Sequence, residues 1–254
     1  MKQSKEDKIY NWINLILSQY LENEGISGDE FISKIRIELV DSIFGAIERL
    51  RPDMAEKYRQ QKEEIEKCSG YTLPIKNETM AVLIDKAFFD DSTQKNFMWV
   101  EVLLHEITHA ADFMNNKGIM GHNTFDSMLC CVPFWWWTEF HAKYKGTLYM
   151  LDYAMKLPEE YKKQYENIIF DTVDNIEGIM ASNTVGEIKK YNLMHLFGEI
   201  AAYRERDLLI PSKKVNCLFP DFINFIEFLK SKDRIVDSEF LLTLKKFCRT
   251  LDKF

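Results

Sequence analysis

Apolar residues recur along the first fifty positions with the period of a helix. Ile9, Trp12, Ile13, Ile16, Leu17, Tyr20 and Leu21 fall on one stripe and predict an amphipathic helix packed on a core. Its polar face is not basic, which favours core packing over a membrane-surface role. Residues 23–28 break the pattern. Ser27 with Glu30 three positions on reads as a capping box. From it the stripe Phe31, Ile35, Leu39, Ile43 and Ile47 carries a second helix to about Leu50. Pro52 opens a third helix through Lys67, whose Lys/Glu run is a solvated face, and Gly70 is its terminator.

The texture then changes. Met80-Ala81-Val82-Leu83-Ile84 is a short continuous apolar run between Asn77 and Asp85, and predicts a strand; residues 71–75 predict another. A helix over 97–116 follows, with Val100, Leu103, Leu104, Ile107, Ala110, Ala111 and Met114 as its apolar stripe. Asn115-Asn116-Lys117-Gly118 ends it. Pro133 opens an aromatic-rich segment, Phe134-Trp135-Trp136-Trp137-Thr138-Glu139-Phe140-His141-Ala142. Helical patterns continue over 158–180, 185–209, 220–230 and 238–251, with Pro211 marking the break before the last pair. There is no internal repeat and no low-complexity linker. The fold class predicted is mostly α with a small β-sheet (α+β). It divides into a helical region over 1–70, a core over 71–210 and a second helical region over 211–254, all forming one compact unit.

The helix over 97–116 carries chemistry. It contains His105-Glu106-Ile107-Thr108-His109. Residues four apart share a helix face, so His105 and His109 can aim both imidazoles at one ion. Glu106 stands beside that ion without having to bind it. The pattern suits zinc-assisted hydrolysis: two imidazoles and a third protein ligand hold Zn2+, and the glutamate takes a proton from the attacking water. The alternative is an ordinary core helix with two satisfied histidines. Asp112 stands where a glycine, and Asn115 where a third histidine, would follow in the metzincin pattern, which is thereby excluded.

The other common solution for a third ligand is a glutamate from a second helix packed antiparallel to the first. Glu139, embedded among Trp135, Trp136, Trp137 and Phe140, is the leading choice, because a carboxylate in apolar company is costly unless paired or metal-bound. Glu199, in Gly198-Glu199-Ile200-Ala201-Ala202-Tyr203-Arg204, is the rival, with an ion pair to Arg204 or Arg206 as its structural role. His122, His141 and Asp112 remain further alternatives. Asp112, three residues after His109, is placed to accept a hydrogen bond from a ligand imidazole, or is a surface aspartate. Tyr144, Tyr149, His195 and Tyr203 are each eligible to stabilise an oxyanion.

Composition narrows the setting. Of 254 residues, 46% are hydrophobic and 29% charged, enough for a core and a solvated surface. A net charge of −7, with no basic run interleaved with aromatics, argues against nucleic acid. The five cysteines (Cys68, Cys130, Cys131, Cys217 and Cys248) are odd in number and lack paired spacing, as expected of reduced thiols in the cytoplasm. No apolar run reaches membrane-spanning length, and the mixed-charge start is followed by no export leader.

At these residues the chain resembles the gluzincin branch of the zincin metallopeptidases, in particular the small cytosolic forms of bacteria and their phages. The strand 80–84, the His105–His109 motif and the segment around Glu139 carry the resemblance, which covers about residues 71–146. It implies a zincin-like core, Zn2+, Glu106 as general base, and peptide-bond hydrolysis. It also implies that a strand near the metal holds the substrate in extended form, a role that the strand 80–84 could fill or lack. One departure is Lys143, where many gluzincins have an acid supporting a ligand histidine. The function expected is a zinc-dependent peptidase acting on a peptide or protein, with the narrow specificity a cytosolic location requires. A catalytically silent zincin-fold binding or regulatory protein is the alternative. A helical structural protein with an accidental motif is a third reading.

Overall fold

The structure, a computed structural model, describes residues 4–75, 78–89, 98–156, 186–208 and 221–251. The helix expected over 158–180 lies outside them. The class is mostly α with a small β-sheet, as expected. The chain forms two compact units, Met1–Ala110 and Ala111–Phe254.

In the first unit, helix α1 (Lys5–Asn23) starts with a capping box: Asp7 N–H donates to Ser4 Oγ and Ser4 N–H to Asp7 Oδ2. It buries Ile9, Ile13, Ile16, Leu17, Tyr20 and Leu21, while Trp12 lies on the flank of the stripe and stays exposed. The second helix expected is not continuous. Helix α2 (Gly28–Lys34) stops after one stretch, strand β1 (Ile35–Val40) follows, and helix α3 (Ile43–Leu50) begins anew. The reason is an ambiguity of spacing. Ile35 and Leu39 fit a helical stripe, but with Ile37 between them they also alternate with period two, and isoleucine favours the strand. Ser42 marks the restart, since its Oγ accepts from Gly45 N–H at 2.8 Å. Ser27 does precede α2, but its side chain makes no capping bond, so the expected box is not formed.

The third helix expected is also shorter: α4 (Pro52–Lys57), a 3-10 turn (Arg59–Gln61) and α5 (Lys62–Ile65). Gly70 does not end a helix; it begins strand β2 (Gly70–Ile75). Strand β3 (Thr79–Asp85) completes a sheet of order β1-β3-β2, with β1 parallel and β2 antiparallel to β3. Met80 to Ile84 are wholly buried, which accounts for their unbroken apolar run. Because β3 is central and paired on both sides, it offers no edge to a substrate.

Helix α6 (Met98–Asn115) carries the histidine motif and passes through the boundary between the units. In the first unit it is tied to β2 and to α1. Thr72 Oγ1 donates to the Glu106 carbonyl at 2.9 Å, and Tyr20 Oη lies 3.0 Å from Thr108 Oγ1. Thr108 spends its own proton on the Leu104 carbonyl at 2.7 Å, so Tyr20 is the donor.

In the second unit, a short α7 (Phe125–Met128) precedes α8 (Val132–Ala154), a helix buried nearly all round. Helix α9 (Glu187–Glu205) packs along it in the same direction, as the steps Trp136–Lys190, Glu139–His195 and Asp152–Arg206 show. Helices α10 (Phe222–Lys230) and α11 (Ser238–Leu251) form a pair whose contacts are stacked rings, Phe225 on Phe247 and Phe228 on Phe240. Their connection is held by Asn116, which donates to Arg234 O at 2.9 Å and accepts from Val236 N–H at 2.8 Å. No helix among the described residues is long and apolar enough to cross a membrane.

Gly198 sets how closely α8 and α9 approach. A Cβ there would stand 2.4 Å from the Phe140 carbonyl oxygen and 2.8 Å from Tyr144 N, both backbone atoms. Replacing Gly198 by Ala should therefore force the helices apart and cost about 1–3 kcal/mol in chemical denaturation. A wild-type unfolding midpoint in that variant would show that the two backbones have room to spare.

Candidate metal centre

The first unit holds the two histidines. His105 Nε2 and His109 Nε2 lie 3.0 Å apart, with the rings nearly perpendicular. Two nitrogens so close either share a proton or point at a common cation. Donors at zinc bond length on a tetrahedral ion are about 3.3 Å apart, so the pair fits one ion. Helix spacing alone brings the side chains to one face. The packing of α6 on β2 then limits their freedom.

Glu106 sits where that packing is tightest. A Cβ on Gly70 would lie 2.7 Å from Glu106 Cγ, 2.9 Å from Val102 Cγ1 and 3.0 Å from Glu106 Oε1. Only a residue without a side chain lets β2 run this close to the glutamate. His105, Glu106 and His109 retain 9%, 8% and 6% of their surfaces, so the three are recessed without being sealed.

The second unit holds the other donors. On α8, Thr138 and His141 are three apart and share a face, while Glu139 is turned about 100° away. That division is used. Thr138 Oγ1 donates to Asp112 Oδ2 at 2.7 Å, and His141 Nδ1 lies 2.9 and 3.1 Å from the two carboxylate oxygens. Asp112 was expected to orient a ligand imidazole; the imidazole it holds is that of His141. Asp112 is 1% exposed, so it is no surface residue, and two donors from α8 offset its desolvation. His141 also stacks on Trp137, with ring centres 4.9 Å apart. The steps Asp112–His141 and Phe113–Phe134 run in opposite senses, so α8 returns antiparallel to the end of α6, as expected of the helix bearing the carboxylate.

Glu139 faces α9. Its Oε2 lies 3.6 Å from His195 Nε2, longer than a hydrogen bond. Two donors to one ion sit at about this separation when the angle between them is wide. Glu139 is 2% exposed, whereas the His195 side chain keeps 33%. The rival Glu199 is one turn after His195 and accepts from Tyr203 Oη at 2.9 Å, not from the arginines expected; Arg206 pairs with Asp152 at 2.7 Å. His122 lies half-buried in the loop after α6.

Of the groups eligible to hold an oxyanion, Tyr144 donates its hydroxyl to Glu205. Burial, and then that bond, push its ionisation well above the usual tyrosine range, so it stays protonated. Tyr203 is committed to Glu199. His195 stands beside Glu139 and stacks on Tyr191, with ring centres 5.7 Å apart. Sequence reading placed His195 only among four possible helpers. Its signal is its position three residues before Gly198, the glycine that brings α9 onto α8.

In each unit the donors are of types that zinc takes: two imidazole nitrogens in the first, and an imidazole and a buried carboxylate in the second. No family model matches the chain, and no curated protein or solved structure matches it either.

Two substitutions probe these supports. Gly70→Ala should displace Glu106 or lift β2 from α6 at a cost of about 1–3 kcal/mol in denaturant unfolding; an unchanged midpoint would mean the strand backs away freely. Asp112→Ala should remove the carboxylate that Thr138 Oγ1 and His141 Nδ1 share and destabilise by about 1–3 kcal/mol. His141→Ala combined with Asp112→Ala should then cost less than the sum of the single changes. Strict additivity in that cycle would dissolve the pair.

Proposed function

We propose that the chain is a zinc-dependent metallopeptidase, a hydrolase of gluzincin type, with His105, His109 and Glu139 as metal ligands and Glu106 as general base. The observation that carries this reading is the convergence of His105 and His109 at 3.0 Å on a helix whose intervening Glu106 is held by β2. Within the second unit it is supported by Glu139, a buried carboxylate whose Oε2 lies 3.6 Å from His195 Nε2. The bound zinc supplies Lewis acidity toward a carbonyl and toward water.

The chain's own residues do the rest. Glu106 accepts the proton of the attacking water and passes it to the leaving amine. Its recessed position and the close approach of β2 restrict its rotamers, which keeps the carboxylate aimed. Among the described residues β2 lies at one end of the strand order, and strand addition to a sheet edge is a general way of holding an extended peptide. The substrate is therefore a peptide or protein in extended form; nucleic acid and membrane are not partners. An odd number of cysteines without paired spacing supports a cytoplasmic location.

A second reading, a zincin-fold protein that binds metal without turnover, is favoured by one observation. His195 stands close enough to Glu139 to act as an additional donor, and four protein ligands would fill a tetrahedral shell.

The test is Glu106→Gln in the full chain, with zinc content measured by elemental analysis and cleavage measured on a peptide library. Zinc should remain near one per chain while cleavage falls by about a hundredfold or more. Undiminished cleavage would sink the mechanism, and wild type with zinc but no cleavage would select the second reading.

A further inference from the structure

Resting on the proposal that His105 and His109 hold the ion, we infer that Glu101 is a positioning residue, which orients His105 through the ring nitrogen turned away from that ion. Both imidazoles direct Nε2 to one point, the two atoms lying 3.0 Å apart. That geometry assigns Nδ1 of each ring to a partner other than the ion. The partner matters, because it fixes which nitrogen carries the proton and how the ring is turned. A carboxylate is a usual choice. Two sequence positions that could have supplied one do not. Asp112 holds His141 instead, at 2.9 Å, and Lys143 stands where an acid would be.

Glu101 lies one helical turn before His105 on α6, and both belong to the unit Met1–Ala110. Side chains on a helix lean toward its N-terminus, so the His105 ring lies over the turn that carries Glu101. An acid four residues ahead of a basic side chain is also the better order for such a pair. Glu101 is only 3% exposed, although its neighbours Val100, Leu103 and Leu104 are apolar and buried. A carboxylate in that company is costly unless it is paired. His109 has no such support from its own helix, since the residue one turn before it is His105. A carboxylate at Nδ1 keeps the proton there, leaves the Nε2 lone pair for the ion and makes His105 a stronger donor. An acid in the first turn of a helix also suits the helix dipole. That benefit is the same with or without an ion, and it requires no burial.

The experiment uses the full chain and zinc alone, with affinity measured by competition against a chromophoric chelator. Glu101→Ala should weaken zinc binding by about 10–100-fold. Glu101→Gln should lose less, because its amide oxygen still accepts from Nδ1–H but carries no charge. Wild-type affinity in both variants would overturn the inference. So would a lowered unfolding midpoint of the zinc-free variants with unchanged zinc affinity, which would leave Glu101 only its part in the helix dipole. A second measurement does not depend on how the variants fold: the imidazole nitrogen-15 spectrum of the zinc-loaded wild type. His105 should show a protonated Nδ1 and a zinc-bound Nε2, and the reverse assignment would overturn the inference. Absence of stoichiometric zinc in the wild type would overturn the metal site and this inference together. Weakened zinc binding in Glu101→Ala alongside undiminished cleavage in Glu106→Gln would uphold the inference and overturn only the peptidase mechanism.

Discussion

Helix α6 buries a row of polar side chains that would each be costly in an apolar interior: His105, Glu106, Thr108, His109 and Asp112. Much of the surrounding structure can be understood as the partners this row requires. Tyr20 of α1 reaches Thr108, whose proton is already committed to a backbone carbonyl. Thr72 of β2 covers the Glu106 carbonyl. Thr138 and His141 of α8 converge on Asp112. Each partner comes from a different element, so the polar row also fixes where those elements dock. That makes α6 an organising helix for both units, since it contributes residues to each.

The same economy operates in the second unit between α8 and α9. Helix α8 has few exposed positions, so several of its polar residues turn to neighbouring elements. Thr138 and His141 turn to Asp112, Lys145 reaches Asp233 at 2.9 Å, and Tyr144 donates to Glu205. Burial alone raises the Asp233 carboxyl, but Lys145 more than offsets it and leaves the group below the ordinary aspartate range. Glu139 is answered by His195 at a distance that favours a shared ion over a direct bond. Gly198 is the enabling residue here, as Gly70 is for Glu106. In both cases the missing side chain decides how near two elements come: β2 to the Glu106 side chain, and α9 to the backbone of α8.

These dependencies explain what could be read from the chain. The helix of the motif, strands β2 and β3 and the C-terminal helices were legible because each buries one continuous apolar pattern. The stretch 27–50 was misread because Ile35 and Leu39 satisfy two periods at once; only the cap at Ser42 betrays the second helix. Met80–Ile84 was recognisable as a strand, but its central position depends on β1, which the misreading had removed. The partner of Asp112 was hidden for another reason. Helical spacing shows which residues of α6 share a face, yet the choice between a ligand imidazole and His141 is made by α8, a segment 26 residues downstream. Aromatic composition marked α8 as buried without saying which of its polar residues faces α6.

His195 illustrates the limit more sharply. Nothing in Tyr191-Asn192-Leu193-Met194-His195 resembles a ligand motif, and its distance in sequence from Glu139 is large. Its place is determined by close packing at Gly198, a property of two helices together. Ligands supplied in this way differ physically from those of the motif helix. His105 and His109 are positioned by one rigid helix and move only with it. Glu139 and His195 are positioned by contact between two helices, so their separation responds to any change in that contact. A substrate or partner that shifts α9 along α8 would alter the second pair while leaving the first intact. The separation of Glu139 and His195 would then be governed by the packing of α8 and α9, and Gly198 would be the residue through which it acts.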